Sequence, residues 1–396
     1  MLDLFLQSTI RRNPELIITA CELHRRGLIP PNTYVIDEDA VTKNARAIAD
    51  SAKKHGLALY FMTKQFGRNP ELARAISEAG IDSAVAVDYE EAQQLHASGI
   101  RLGHVGHLVQ VPSAFVKWVI SVAPEVVTCF SVDKARELSE AALEAGTTQN
   151  ILLRVVSRRD FFYPMQRGGI AIEELPRAVE ELKKLRGIKV VGVTSFPCLI
   201  MDETAREPRP TPNVSTMLQA ASILRDAGVE VTQINGPSMT CASTMALLKS
   251  LGISHGEPGH SLTGTTPLHA VSDQPEVPAM VYVSEVSHVF HNEAYVFGGG
   301  FYARSHLKEV LIGNDPDTIC GRRFRAGEPV EGNIDYYLPV RGARSVKTGD
   351  TAIFAFRTQI FATRATVAIV SGISERDPNL RGLYDARGNA LGKLSK

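Results

Sequence analysis

Leu57-Ala58-Leu59-Tyr60-Phe61-Met62-Thr63-Lys64 is the stretch on which the reading of this chain turns. It is an apolar run of strand length, followed at once by Gln65-Phe66-Gly67-Arg68-Asn69-Pro70 and a helical pattern. Such a run reads as a buried strand of a parallel sheet. Its carboxyl end then carries Lys64 into the mouth of an α/β sheet or barrel, where ligands bind. Partial desolvation there lowers the pKa of an amine. A lysine so placed can form a Schiff base with an aldehyde, pyridoxal 5′-phosphate (PLP) among them.

Outward from that run the chain alternates. Strand-like segments occur at Thr33–Ile36, Ser83–Val87, Gly103–Val109, Glu125–Phe130, Ile151–Val156, Lys189–Thr194, Val229–Ile234 and Gly252–Gly256. Helical patterns such as Thr42–His55, Asn69–Ala79, Glu90–Ser98, Asp133–Ala145, Ile172–Lys184 and Val214–Ala227 lie between them. The rhythm predicts βα units around a parallel sheet, and their number suits a (β/α)8 TIM-type barrel, with an open doubly wound sheet as the alternative. After about residue 270 the pattern becomes β-rich and turn-rich. The expected organisation is an N-terminal helical extension over 1–28, a barrel over 29–270 and an all-β domain over 271–396. Pro267–Pro278 reads as the linker, and the proline-rich Asp202–Pro212 as an irregular excursion from the barrel mouth.

Composition narrows the function. The 396 residues carry 43 basic and 43 acidic side chains, net charge +0, so the chain lacks the basic excess of a nucleic-acid binder. Five scattered cysteines without a C-x-x-C pair argue for reduced thiols and a cytoplasmic protein. The N-terminus lacks the order of a signal peptide, and no stretch reaches the roughly 18 apolar residues of a membrane span. His104 and His107, like His288 and His291, are i, i+3 pairs; a strand puts such positions on opposite faces, so no metal site is assigned.

Several segments place chemistry at strand ends. Asn235-Gly236-Pro237-Ser238 offers a close backbone approach, a helix N-terminus and the Ser238 hydroxyl to an anion. His255-Gly256-Glu257-Pro258-Gly259-His260 ends the next strand, so Gly259 and His260 are further candidate phosphate donors. Glu257 is placed to hold a protonated pyridine nitrogen. Arg154 lies within a strand, where a charge must be paired or face the site. Ser195 closes a strand and can present a hydroxyl to a cofactor. Arg167, in Met165-Gln166-Arg167-Gly168-Gly169, is a candidate for the ring or a substrate carboxylate. Tyr302 is a candidate acid/base, and Asp335 a candidate for gripping a cationic substrate tail.

With these residues in view, the chain resembles the fold-type III PLP enzymes, which include alanine racemase and the ornithine, arginine and diaminopimelate decarboxylases. Tyr60-Phe-Met-Thr-Lys64-Gln-Phe-Gly-Arg-Asn-Pro70, Val85-Ala-Val-Asp-Tyr-Glu-Glu-Ala92, Gly106-His-Leu-Val-Gln110, Glu257-Pro-Gly-His-Ser-Leu-Thr-Gly264, Ile334-Asp-Tyr-Tyr-Leu-Pro339 and Phe356-Arg-Thr-Gln-Ile-Phe361 are similar to the YhfX-like, alanine-racemase-related proteins. The resemblance implies a PLP-binding barrel, a C-terminal β domain and a homodimer with shared active sites. It implies that Lys64 forms the internal aldimine. It also places Gly236, Ser238, Gly259 and His260 at phosphate-loop positions.

The same resemblance exposes departures. Glu257 stands where alanine racemase has an arginine and where the decarboxylases have glutamate. His260 stands where the decarboxylases have arginine. Gly332-Asn333-Ile334-Asp335 lacks the decarboxylase cysteine that returns a proton to the intermediate. Phe301-Tyr302-Ala303 resembles the racemase Gly-Tyr-Ala, whose tyrosine is given across the dimer. The implied activity is a PLP-dependent amino-acid racemase, an isomerase abstracting the Cα proton with Lys64 and Tyr302 as its acid/base pair. The alternatives are a PLP-dependent decarboxylase of a basic amino acid, or a PLP-binding protein without turnover.

Overall fold

The computed structural model describes residues 4–302, 307–330 and 332–392. It contains two compact units, one made of Ile48–Thr63 and Ile76–Gly259, the other of Met1–Ala47, Lys64–Ala75 and His260–Lys396.

The first unit is a closed parallel barrel of eight strands: Ala58–Met62, Ser83–Ala86, Leu102–Val105, Val126–Cys129, Gln149–Val156, Ile188–Thr194, Gln233–Asn235 and His255–Gly256. Each strand pairs with its successor, and the last closes on the first with His255 opposite Ala58 and Gly256 opposite Leu59. Short wholly buried segments such as Ser83-Ala-Val-Ala86 and Val126-Val-Thr-Cys129 suit this role, because helices cover the outer face while side chains fill the inner one. Tyr60, Met62, Val85, Val126, Leu152 and Val191 pack inside. Gly103 is required there, since a Cβ at that position would lie 2.1 Å from the Tyr60 ring.

The second unit is an antiparallel β domain. Strands Glu293–Phe297, Tyr337–Arg341, Arg323–Ala326, Glu309–Gly313, Thr351–Phe354 and Met280–Phe290 pair in that order and close into a ring of six, because Glu293–Phe297 also pairs with Met280–Phe290. Helices Leu4–Arg12 and Pro14–Arg25 belong to this unit. Leu16, Ile17, Ala20, Cys21 and Leu23 share a core with Val281, Val283, Leu311 and Ile353. The fold is a TIM-type barrel plus a C-terminal antiparallel β domain.

Three segments differ from the expectation. Thr33–Asp37, read as a barrel strand, lies in the β domain, antiparallel to Met280–Phe290 and parallel to Thr366–Ser371. It is buried at every position, and a strand buried on both faces carries no periodic signal of which sheet it will join. Asp202–Pro212 is not irregular. Leu199–Asp202 and Glu207–Pro210 form an antiparallel hairpin, with Asp202 accepting the Thr204 and Ala205 N–H groups at 3.0 Å each. The expected linker contains a helix, Pro267–Val271, with proline in its first turn.

Candidate active site

The centre of the barrel's carboxyl end is Glu257, which follows the strand His255–Gly256 and is 4% exposed. Three side chains converge on it. His104 Nδ1 lies 2.7 Å from Oε1, Asn235 Nδ2 donates to Oε1 at 2.8 Å, and His107 Nδ1 lies 3.0 Å from Oε2. Burial alone would push this carboxyl up, but the charges and hydrogen bonds of His107 and His104 outweigh it and hold Glu257 well below the usual carboxylate range. The backbone N–H of Glu257 donates to Thr240 Oγ1 at 3.1 Å, fixing the turn after the strand.

This meeting of His104 and His107 corrects the opposite-faces argument. The strand ends at Val105, and Gly106 turns the chain with φ +81°, so His107 is no longer a strand residue. The two rings meet edge to face at 5.6 Å. His104 Nε2 is held by the Thr128 hydroxyl from the adjacent strand. Sequence reasoning missed both histidines as site residues. The available signal was a histidine inside a short buried strand followed by Gly-His.

An ionised carboxylate offers about four acceptor positions. His104 and Asn235 take those of Oε1, and His107 faces Oε2, which keeps a position for one more N–H. That is the acceptor a pyridinium N–H needs, so these residues fit PLP. Ser195 fits as well. It is buried after strand Ile188–Thr194, and its Oγ accepts from Asn213 Nδ2 at 3.1 Å, so its own O–H can donate to a ligand.

The phosphate-type loop in this unit is strained at Ser238 (φ +102°) and Met239 (φ +50°), a geometry that clusters at ligand sites. The Ser238 hydroxyl donates to the Leu199 carbonyl at 2.6 Å. The Gly236 N–H is committed to the His255 carbonyl at 2.9 Å, and a Cβ there would meet Ile253 at 2.9 Å. Gly236 therefore serves close packing of the loop. Gly259 follows Pro258, whose carbonyl accepts from Met62 N–H at 2.8 Å.

Arg154 is buried and carries its charge into the barrel wall. Its guanidinium donates to the carbonyls of Gly168 and Gln166 at 2.9 Å each and reaches that of His107 at 3.5 Å. It also lies 4.8 Å from the Phe130 ring, and burial lowers its pKa to about 10. These carbonyls lie in the loops that carry His107 and Arg167. Arg167 itself is exposed and lies over Phe162 at 5.9 Å.

In the β-domain unit, Lys64 is half-buried and opens a single 3-10 turn, Lys64–Phe66, with Thr63 between it and the end of strand Ala58–Met62. His260 donates from Nε2 to the Thr358 carbonyl at 3.0 Å, and its Nδ1 lies 3.5 Å from Gln65 Nε2. Burial, with the Arg357 and Lys64 charges beside it, keeps His260 well below its usual pKa, so the ring is neutral. Asp335 accepts the Gly299 N–H at 2.9 Å and pairs with Arg364 at 3.0 Å, so its charge is already matched. Tyr302 is half-buried beside Phe301, which packs on Tyr282 at 5.0 Å; Ala303 of the same motif is outside the described residues.

Comparison with known proteins agrees with this architecture. Residues 36–267 match the family described as "Alanine racemase, N-terminal domain", and residues 281–380 match "YhfX-like, C-terminal domain". The chain is 42% identical over 390 residues to the Escherichia coli (strain K12) protein named "Uncharacterized protein YhfX", covering 98% of this chain and 100% of that one. Among solved structures, D-threonine aldolase from Filomicrobium marinum superposes with a TM-score of 0.65 at 17% identity, covering 90% of this chain and 95% of that one. An alanine racemase from Clostridium difficile 630 gives 0.64 at 17% identity, covering 90% and 98%. D-threo-3-hydroxyaspartate dehydratase from Delftia sp. HT23 gives 0.66 at 16% identity, covering 89% and 97%. The domain matches and the full-length relative together establish that this chain belongs to the YhfX-like family of alanine-racemase-related proteins.

Proposed function

We propose that the protein is a PLP-dependent enzyme acting at the Cα of a small amino acid, and that it is a racemase. The observation that carries this reading is Glu257: a buried carboxylate held ionised at the carboxyl end of the barrel, with an acceptor position left on Oε2. When bound, PLP supplies an electron-accepting ring that stabilises negative charge at the substrate Cα. Lys64 would attach it through its ε-amine. Glu257 would hold the ring-nitrogen proton, and Ser195 would donate its hydroxyl hydrogen to the cofactor. Ser238, Gly259 and the loops around them would cradle the phosphate, Ser238 with its hydroxyl turned from Leu199. Arg167 would face the substrate carboxylate.

Lys64 then takes or returns the Cα proton on one face. Tyr302, given by a second copy of the chain, does so on the other. A dimer suits the surface of the β domain, where Phe290, Val330, Ile334, Tyr336 and Tyr337 are exposed apolar side chains. No helix among the described residues is long and apolar enough to cross a membrane, and the five cysteines are free, as suits the cytoplasm. The decarboxylase alternative asks Asp335 to grip a distal amine, a charge that Arg364 already matches.

The test is direct. Purified protein incubated with PLP should absorb near ~420 nm, the aldimine region expected of a PLP enzyme. With D- and L-amino acids in heavy water it should wash deuterium into Cα without releasing CO2. Release of CO2 from a basic amino acid would replace the racemase reading. Absence of both the band and the exchange would remove PLP chemistry altogether.

A further inference from the structure

Glu257 could be satisfied by neutral donors such as Asn235. Instead it faces two histidines that come from one strand and the turn after it. Both present Nδ1 to the carboxylate. His104 is clamped at its far nitrogen by the Thr128 hydroxyl, and His107 is braced edge to face against Phe196 at 5.6 Å. The rings are therefore fixed in orientation by their neighbours. His104 makes a hydrogen bond to Oε1 at 2.7 Å, and His107 Nδ1 stands at ion-pair distance, 3.0 Å, from Oε2.

We propose that His104 and His107 are positioning residues that keep Glu257 ionised and fix the one oxygen position it presents to the cofactor, with Thr128 setting the orientation and tautomer of His104. This inference rests on the PLP reading above. The physical reason is the depth of the site. A carboxyl buried there without cationic or N–H partners takes up a proton. A protonated Glu257 could no longer keep the pyridine nitrogen charged, and the ring would be a weaker electron sink. The strength of the sink is thus set one layer out from the group that touches the cofactor.

The other ionisable groups facing this cluster do not replace the pair. Tyr60 bonds Glu125 at 3.2 Å and is pushed up by burial. Glu125 is matched by Ser83 at 2.7 Å and Arg101 at 3.1 Å. His255 stacks on Tyr60 at 5.6 Å, and burial lowers it to about 4, so it is neutral at physiological pH. Compensation for Glu257 therefore comes from His104 and His107.

The experiment loads the full-length protein with PLP carrying 15N at the ring nitrogen and reads its protonation by NMR, with borohydride trapping on Lys64 as a separate readout. The wild type should show a protonated nitrogen. His104→Leu with His107→Leu should trap on Lys64 but shift the nitrogen to the unprotonated position. The Gln pair, which keeps neutral N–H donors, should restore the protonated signal. Thr128→Val, which preserves shape and removes one hydroxyl, should move the resonance in the same direction by less and guards against misfolding of the Leu pair. Trapping with a protonated nitrogen in the Leu pair and in Thr128→Val overturns the inference alone. So does a stoichiometric divalent metal in the wild type that the Leu pair loses. Failure of the wild type to trap PLP on Lys64 takes down the PLP reading and this inference with it.

Discussion

The Thr63 hydroxyl donates to the Glu91 carboxylate at 2.5 Å, tying the residue before Lys64 to the helix that follows the neighbouring barrel strand. The other oxygen of Glu91 accepts the Val87 N–H at 2.7 Å, and Glu91 is fully buried. One carboxylate therefore holds two strand ends of the barrel. Glu91→Leu leaves both donors buried without that acceptor and should cost about 2–4 kcal/mol of stability, whereas Glu91→Gln should cost about 1 kcal/mol. Urea denaturation of the two variants measures the difference.

Lys64 follows from the same anchoring. Its backbone emerges from a strand end pinned at Thr63, so its amine should be the one that captures PLP. Reduction with borohydride should leave the pyridoxyl group on the peptide containing Lys64 and on no other, read by mass spectrometry. Lys64→Ala should lower Cα exchange by about 10²–10⁴-fold, the usual contribution of a positioned acid/base.

Glu257→Gln removes the anion but keeps the volume. Cα exchange should fall by about 10²-fold, the scale of one lost electrostatic contact to developing charge. PLP capture by Lys64 should persist, because that step does not use the ring nitrogen. Equal exchange rates in the two proteins would show that the ring acts without the Glu257 charge.

Arg154→Leu should loosen the loop that follows its strand. The carbonyls of Gly168 and Gln166 lose their charged donor, at about 1.5–3 kcal/mol for hydrogen bonds of that type. Limited proteolysis should cut between residues 157 and 169 faster in the variant than in the wild type.

Acid should destabilise the fold from about pH 6.5 downward. Burial lowers His255 from 6.5 to about 4, and it lowers His24 and His260 as well. A histidine that is harder to protonate when folded contributes stability above its unfolded pKa, and loses it as pH falls from about 6.5 toward 4. The loss at His255 alone is on the order of 2–3 kcal/mol. Denaturation midpoints measured from pH 7.5 to 4.5 should fall, and His255→Gln should flatten that dependence.

Much of the architecture was legible because parallel barrels write themselves locally. The alternation of short apolar runs with helical patterns identifies the βα units, Leu57–Met62 among them. The place of Glu257 just after a strand was legible for the same reason, since Pro-Gly marks where the strand ends. Thr33–Asp37 was not legible as a β-domain strand. Its apolar centre, Tyr34-Val35-Ile36, suits either sheet, and only its pairing with Val281 and Val367, far along the chain, assigns it.

The amino-acid order by itself determined the barrel, the β-rich second part, the strand-end lysine and the glutamate at the end of the last barrel strand. Tertiary structure alone decided the surroundings of that glutamate. His104 and Glu257 are 153 residues apart, and His107 joins them only because Gly106 bends the chain beyond the strand. Local sequence encodes the period of a strand and the place of a turn. The charge state of a buried group depends on which distant residues closure of the sheet brings within about 3 Å of it.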